Sequence, residues 1–425
     1  MFEEVKEELR TAICGFDQII DAHEHLAPES ERLAMTPDVC FLFSHYLIGS
    51  LLAAGAAAEE KQDVHGGNLR GFLMDTSIPF EKRWARIAPY LPAVRYTAYA
   101  EAMWRTLREV YGFDDLTPAT IPAINEAMRL ANKPGLYEEI IVGRCRIKYS
   151  LTQAGRTDYP ERFLVPILPL GILCDLPERR ETVEKRASER GMTAKTLPEY
   201  LDLCRATLVH LRDNERVVGL KMMSQPHAEP LSDAEAAAVY AKMMGRTAED
   251  GEMWALQWYL RDKSVGLCGE ADMTLAVHAG VWGDFRNLDP RHNIPLIERN
   301  PGTRFDIYHM GIPWVRDTAI MGGNWHNVYV NWAWAHIVSY YMTQSAIPEY
   351  VDFVPATKIL AFGGDYGAQC VEKIVGHLSM AQENIAAALA RMVVDRRMTV
   401  EKAIDLAHMW FCENPTKLYR LDRLG

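Results

Sequence analysis

The sequence predicts an α/β fold, a TIM-type (β/α)8 barrel with a helical insertion after strand 1. Three observations lead there. Short apolar runs alternate with helical segments over most of the chain, eight such runs are found, and several end in a histidine or an aspartate. Strand–helix alternation gives parallel strands joined by crossover helices. Eight units close into a barrel whose chemistry sits at the C-terminal ends of the strands. An open doubly wound sheet is the alternative, but no Gly-x-Gly-x-x-Gly turn or phosphate loop follows any run.

The first run is "QIIDAHEHL" (18–26). Side chains two apart on a strand share a face, so His23 and His25 aim at one point past its apolar part. The pair reads either as metal ligands or as a polar strand end facing water. Residues 27–142 then carry almost no strand character. "PDVCFLFSHYLIGSLLAAGAAAEE" is rich in Ala and Leu, and the stretches after it are helical segments broken at prolines. This is the helical insertion.

From about 143 short runs return: 146–151, 162–171, 216–223, 273–280, 304–311, 327–336 and 358–365. Helices are expected at 195–213 and 232–262 between them, with two more, 370–395 and 399–412, closing the chain. The whole chain, 1–425, reads as one barrel with 27–142 as an insertion within it.

Composition narrows the function. The chain is 48% apolar and 24% charged, as in ordinary globular proteins, and its net charge of −11 argues against a nucleic-acid partner. The eight cysteines are scattered without a Cys-x-x-Cys, and buried thiols are the expectation. No apolar stretch approaches the ~20 residues of a membrane span. The expectation is therefore a cytoplasmic protein, with no membrane or nucleic-acid partner, acting on a small molecule and able to form a homo-oligomer.

The strand ends carry the chemistry. The first run ends in His23 and His25, the fourth holds Lys221, the fifth ends in His278, the sixth in His309 and the eighth in Asp365. In a barrel these side chains converge on one mouth, and imidazoles with a carboxylate are a ligand set for a divalent metal. Each has an ordinary reading too: His278 and His309 as strand-end histidines bonded to backbone carbonyls, Asp365 as a helix cap, Lys221 as a cation reaching for water.

"DAHEH", "VHAG", "YHMG" and "FGGD", in strand order, resemble the amidohydrolase superfamily, and most closely its amidohydrolase-2 branch, which includes decarboxylases and has uronate isomerases as distant kin. The closing helices resemble that branch as well, with Asn414, Leu418 and Tyr419 filling its Asn-x-x-x-Leu-Tyr pattern. The resemblance covers strand 1 and about 143–425. It implies a divalent metal, Zn before Mn or Fe and one ion rather than two, held by His23, His25, His278 and Asp365. It also implies catalytic roles for Asp365, His309 and Lys221. Lys221 is either a cation facing substrate or, in a two-metal site, a carboxylated bridge.

The implied activity is that of a metal-dependent hydrolase. A divalent ion lowers the pKa of bound water towards ~7, and Asp365 is placed to take and return its proton. A decarboxylase of an aromatic or related acid and a uronate-isomerase-like enzyme are alternatives on the same site. A catalytically inactive binding barrel is the reading from another class, and the intact ligand set argues against it. For substrate binding, Arg286 and Arg316 are candidates to clamp a carboxylate, or to pair with a local Asp, beside Trp282 and Trp314. Trp332, Trp334 and His336 alternate along the seventh run as core or platform. His45, His65 and Arg70 are candidates for a lid.

Overall fold

The computed structural model describes residues 1–58, 67–175 and 180–425. Its strands are β1 (Ile19–Glu24), β2 (Ile147–Thr152), β3 (Leu164–Pro169), β4 (Gly219–Met223), β5 (Thr274–His278), β6 (Arg304–Ile307), β7 (Val328–Asn331) and β8 (Ile359–Leu360). They form one sheet in the order β1 to β8. The described ladders are parallel. The stretch after β8 returns to β1, with Ala22 N–H bonded to Phe362 O at 3.0 Å and Asp365 N–H to His23 O at 2.8 Å. This is the (β/α)8 barrel that the alternating runs predict.

Several strands are shorter than their apolar runs, and the reason is backbone conformation. His309, Trp334 and Asp365 have φ of 64°, 62° and 62°, and a left-handed residue cannot continue a pleated strand. The expectation that Trp332, Trp334 and His336 alternate along the seventh strand is therefore corrected. That strand ends at Asn331, and His336 sits in the helical turn Ala335–Val338. Likewise the helix expected over 232–262 is two helices, Asp233–Met244 and Asp250–Glu270. Arg246, at φ 60°, breaks the run, and Glu249 with Glu252 forms a new capping box for the second helix.

The chain divides into two compact units: Met1–Thr152 with Tyr159–Leu164 and Asn331–Pro415, and Gln153–Asp158 with Val165–Val330 and Thr416–Gly425. In the first unit, the described residues between β1 and β2 form helices and no strand. These helices bury a core of their own, including Leu42, Phe43, Leu51, Ile87, Leu107 and Ile124. The helix Lys373–Val394 is buried on nearly every side, its polar Lys373, His377, Gln382 and Asn384 included. It packs against Phe2–Cys14 and Ala98–Thr106. A Cβ on Gly376 would lie 2.1 Å from Ala102 O, so only glycine permits that approach. Asn414 lies in this unit, and its buried Nδ2 donates to Ala356 O and Ile359 O, each at 2.8 Å.

In the second unit, Leu220, Leu275, Val277 and Phe305 of the strands share a core with Leu208 and Leu260 of the helices. Capping boxes at Thr196 and Ser232 start the helices Leu197–Asn214 and Asp233–Met244. The tail is tied in by Leu418 O, which accepts from Thr274 Oγ1 at 2.7 Å, and by Tyr419 Oη, which donates to the buried Asp306 carboxylate at 2.6 Å. All eight cysteines are free thiols, seven of them buried. No described helix is long and apolar enough to cross a membrane.

Asn414→Ala removes two donors from buried carbonyls, each worth about 1–3 kcal/mol when orphaned. The expected loss is roughly 2–4 kcal/mol, read as a lower urea midpoint at unchanged m.

Candidate metal centre

Every residue of β1 is buried, including the charged Asp21 and Glu24. His23 Nε2 stands 2.9 Å from Asp365 Oδ1, and His25 Nε2 is 3.3 Å from the same oxygen. One ligand atom from each of the three lies within 4.8 Å of the others. Ligands about 2.0–2.2 Å from a tetrahedral Zn lie roughly 3.3–3.6 Å apart. The His25–Asp365 spacing of 3.3 Å matches that, and the His23–Asp365 spacing of 2.9 Å has to widen by a few tenths of an ångström to admit the ion. Burial opposes ionisation of Asp365, but the His23 and His25 imidazoles outweigh it and hold its carboxyl well below the usual range. His23 is fully buried while the His25 side chain is 40% exposed, which leaves the group one open side.

Asp365 is held there by its neighbours' backbone. Asp21 Oδ1 accepts from Gly364 N–H at 3.1 Å and from His23 N–H at 3.3 Å. Glu24 Oε2 accepts from Tyr366 N–H at 2.6 Å, and His25 N–H donates to Tyr366 O at 3.0 Å. Burial pushes the Asp21 carboxyl up to about 6. Burial and then the Asp21 charge push the Glu24 carboxyl well above the usual range. A Cβ on Gly364 would stand 2.0 Å from Glu24 Oε1. The sequence analysis assigns these two acids no role; their signal is two carboxyls within a six-residue strand that is buried along its whole length.

In the second unit, His278 is the last residue of β5 and His309 stands two residues past the end of β6. His309 Nε2 and His278 Nδ1 are hydrogen-bonded at 3.0 Å, with the rings edge to face. The bond occupies His278 Nδ1, so Nε2 is the atom with which His278 can ligate. Lys221 lies within β4, its Nζ 5.5 Å from the Tyr308 ring centre. It lines a cavity of about 360 Å³ with Arg261, Trp254, Trp258 and Asp175. Arg261 lies over the Trp258 ring and donates to Met223 O, a neutral acceptor, at 2.8 Å. Asp175, the acid of the cavity, accepts from Gln257 at 2.7 Å. Arg261 sits inside a helix far from any strand end, where nothing in the sequence marks it.

The expected residues are thus brought together as His23, His25 and Asp365 in one unit and as His278 with His309 in the other. Arg286 is 81% exposed and makes a bidentate bond to Asp284, at 2.8 and 2.7 Å. Arg316 is exposed in the first turn of the helix Val315–Asn324, Trp282 is an exposed loop residue, and Trp314 is half-buried against Phe285. Trp332 is packed in the core against Trp410. Arg70 Nη2 donates to His45 Nδ1 at 2.9 Å, and His65 lies outside the described residues. Burial, with the Arg70 and Lys373 charges, pushes His45 down to about 3, so its ring is neutral.

A parallel barrel with a His-x-His on its first strand and an aspartate after its last defines a class of metal-dependent enzymes. Residues 178–421, more than half of the chain, match the amidohydrolase family model, and the chain belongs to that family. No curated protein matches it in sequence. Among solved structures it is similar to a glucuronate isomerase from Caulobacter crescentus (16% identity, TM-score 0.76), covering 99% of this chain and 95% of that one. It is also similar to a uronate isomerase from Thermotoga maritima (13%, 0.74; 98% and 97%) and to a metal-dependent hydrolase from Lactobacillus casei ATCC 334 (14%, 0.63; 98% and 98%). At these identities the likeness is one of fold.

Gly364→Ala forces a methyl into the Glu24 carboxyl. Overpacking of this kind costs about 1–3 kcal/mol. The variant is expected to melt several degrees lower and to bind divalent metal more weakly, both measurable on purified protein.

Proposed function

We propose that the protein is a metal-dependent enzyme acting on a small organic anion, and that its reaction is the isomerisation of a uronate-like sugar acid. The grouping of His23, His25 and Asp365 carries the metal part of this reading. The cavity lined by Lys221 and Arg261 supports the anion: two cations, one of them a half-buried guanidinium whose described hydrogen bond goes to the neutral Met223 carbonyl, favour a carboxylate guest. The sugar acid is supported by likeness to uronate isomerases over nearly the full length of both chains, the helices between β1 and β2 included.

A divalent ion on these ligands supplies Lewis-acid stabilisation of negative charge on a substrate oxygen. The chain's own groups supply the rest. Asp365, whose carboxylate oxygen faces His23 and His25, is the proton acceptor. In this reading His278 is a further ligand and His309 handles protons, the roles that the family pattern gives them. Lys221 and Arg261 orient the carboxylate. Hydrolysis is the second reading, favoured by the likeness to a metal-dependent hydrolase.

Metal analysis is expected to give one divalent ion per chain, lost in His23→Ala and in Asp365→Asn. A wild-type protein without stoichiometric metal, whose activity survives both changes, overturns the reading. With D-glucuronate and D-galacturonate, NMR is expected to show an aldose-to-ketose change without water uptake. Turnover of lactones or N-acyl amino acids instead, with solvent oxygen in the product, decides for hydrolysis. Arg261→Met is expected to raise KM for a carboxylate substrate about tenfold, with kcat within about twofold, because a lost charged hydrogen bond costs roughly 1.5–3 kcal/mol of binding.

A further inference from the structure

The Asp365 carbonyl is gripped from the helical segment between β1 and β2. Tyr46 Oη donates to Asp365 O at 2.6 Å, and His45 Nε2 lies 3.0 Å from the same oxygen. The His45 tautomer is fixed by its surroundings. Its Nδ1 faces two donors, Arg70 Nη2 at 2.9 Å and Gln369 Nε2 at 3.0 Å, so Nδ1 accepts and the proton sits on Nε2, pointing at Asp365 O.

The grip is itself anchored. The Tyr46 ring stacks on Trp334 at 4.7 Å and on Tyr99 at 5.6 Å. Arg70 Nε donates to Ser44 O at 2.7 Å, and the buried Lys373 Nζ donates to Leu42 O and His45 O at 3.2 and 3.1 Å. Tyr46 and Asp365 both have positive φ, 59° and 62°. Non-glycine residues persist in that region only when their surroundings over-determine it.

We infer that Tyr46 and His45 are positioning residues for the metal site: by holding the Asp365 carbonyl, the helical segment keeps the Asp365 carboxylate turned toward His23 and His25. The inference rests on the reading that these three residues hold the ion. It gives the segment a task other than covering a mouth. One side of the Asp365 peptide is bonded to β1, the other to the helices that follow β1 in sequence.

The test is Zn²⁺ affinity of the full-length, metal-stripped protein, measured by competition with a chelating dye, beside the melting temperature of the stripped protein. Tyr46→Phe keeps both ring stacks and removes only the hydroxyl. It is expected to weaken Zn²⁺ binding about three- to tenfold, as loss of one buried hydrogen bond does, with melting within about 2 °C of wild type. Tyr99→Phe, which keeps its ring contact with Tyr46, is expected to leave affinity unchanged. Should Tyr46→Phe lower the melting temperature by more than about 5 °C, Arg70→Met carries the test, since it removes one of the two donors to His45 Nδ1 and the bond to Ser44 O while leaving the Tyr46 bond, and is expected to weaken binding about two- to threefold. Wild-type affinity in these variants overturns the inference and leaves the metal reading standing. A wild-type protein that binds no Zn²⁺ overturns both.

Discussion

The junction between the first and last strands is the constraint on which the rest depends. There Asp365 takes a left-handed backbone beside two histidines, and each peptide around it is tied down: Gly364 to Asp21, Asp365 to His23, Tyr366 to Glu24. Burying two carboxyls side by side is costly unless their oxygens are hydrogen-bonded. Asp21 and Glu24 each accept a backbone N–H from this loop, which ties it against β1 beside the candidate metal ligand. Preorganisation of this sort confines a ligand before the ion arrives, so that less ordering opposes binding.

The same junction explains why two glycines precede Asp365. With side chains there, Gly363 would run into Ala333 and His23, and Gly364 into Glu24. The loop approaches β1 more closely than any Cβ allows. Its histidine neighbours serve the backbone too: His336 bonds Ala361 O at 3.0 Å and His377 bonds Gly364 O at 3.2 Å. His336 and His377 thus hold backbone carbonyls in the core, whereas His23 and His25 face a carboxylate.

The fold and the grouping of His23, His25 and Asp365 are legible in the sequence because each leaves a local mark. A strand that stays apolar and then yields His-x-His shows both its direction and its end, and the tail pattern marks Asn414 and Tyr419. The strand ends were overextended because apolar character continues past the residue where φ turns positive, as from Asn331 to Trp334. What stayed hidden depends on residues hundreds of positions apart meeting. Asp21 and Glu24 look like strand charges until the loop after β8 lies against them. Nothing near His45 and Tyr46 announces a bond to Asp365. Arg261 is one arginine among many in helices, distinguished only by the cavity it lines. Arg286, conspicuous in sequence after the fifth strand, is engaged by its own neighbour Asp284.

The central claim is that two imidazoles and one carboxylate of the β1–β8 junction hold a divalent ion. Zn K-edge absorption spectroscopy on the full-length protein loaded with one equivalent tests it directly. A shell of nitrogen and oxygen at about 2.0–2.1 Å, with the outer-shell scattering of at least two imidazoles and lost in His23→Ala, is the predicted result. Sulfur scattering near 2.3 Å, or a shell unchanged in that variant, contradicts it.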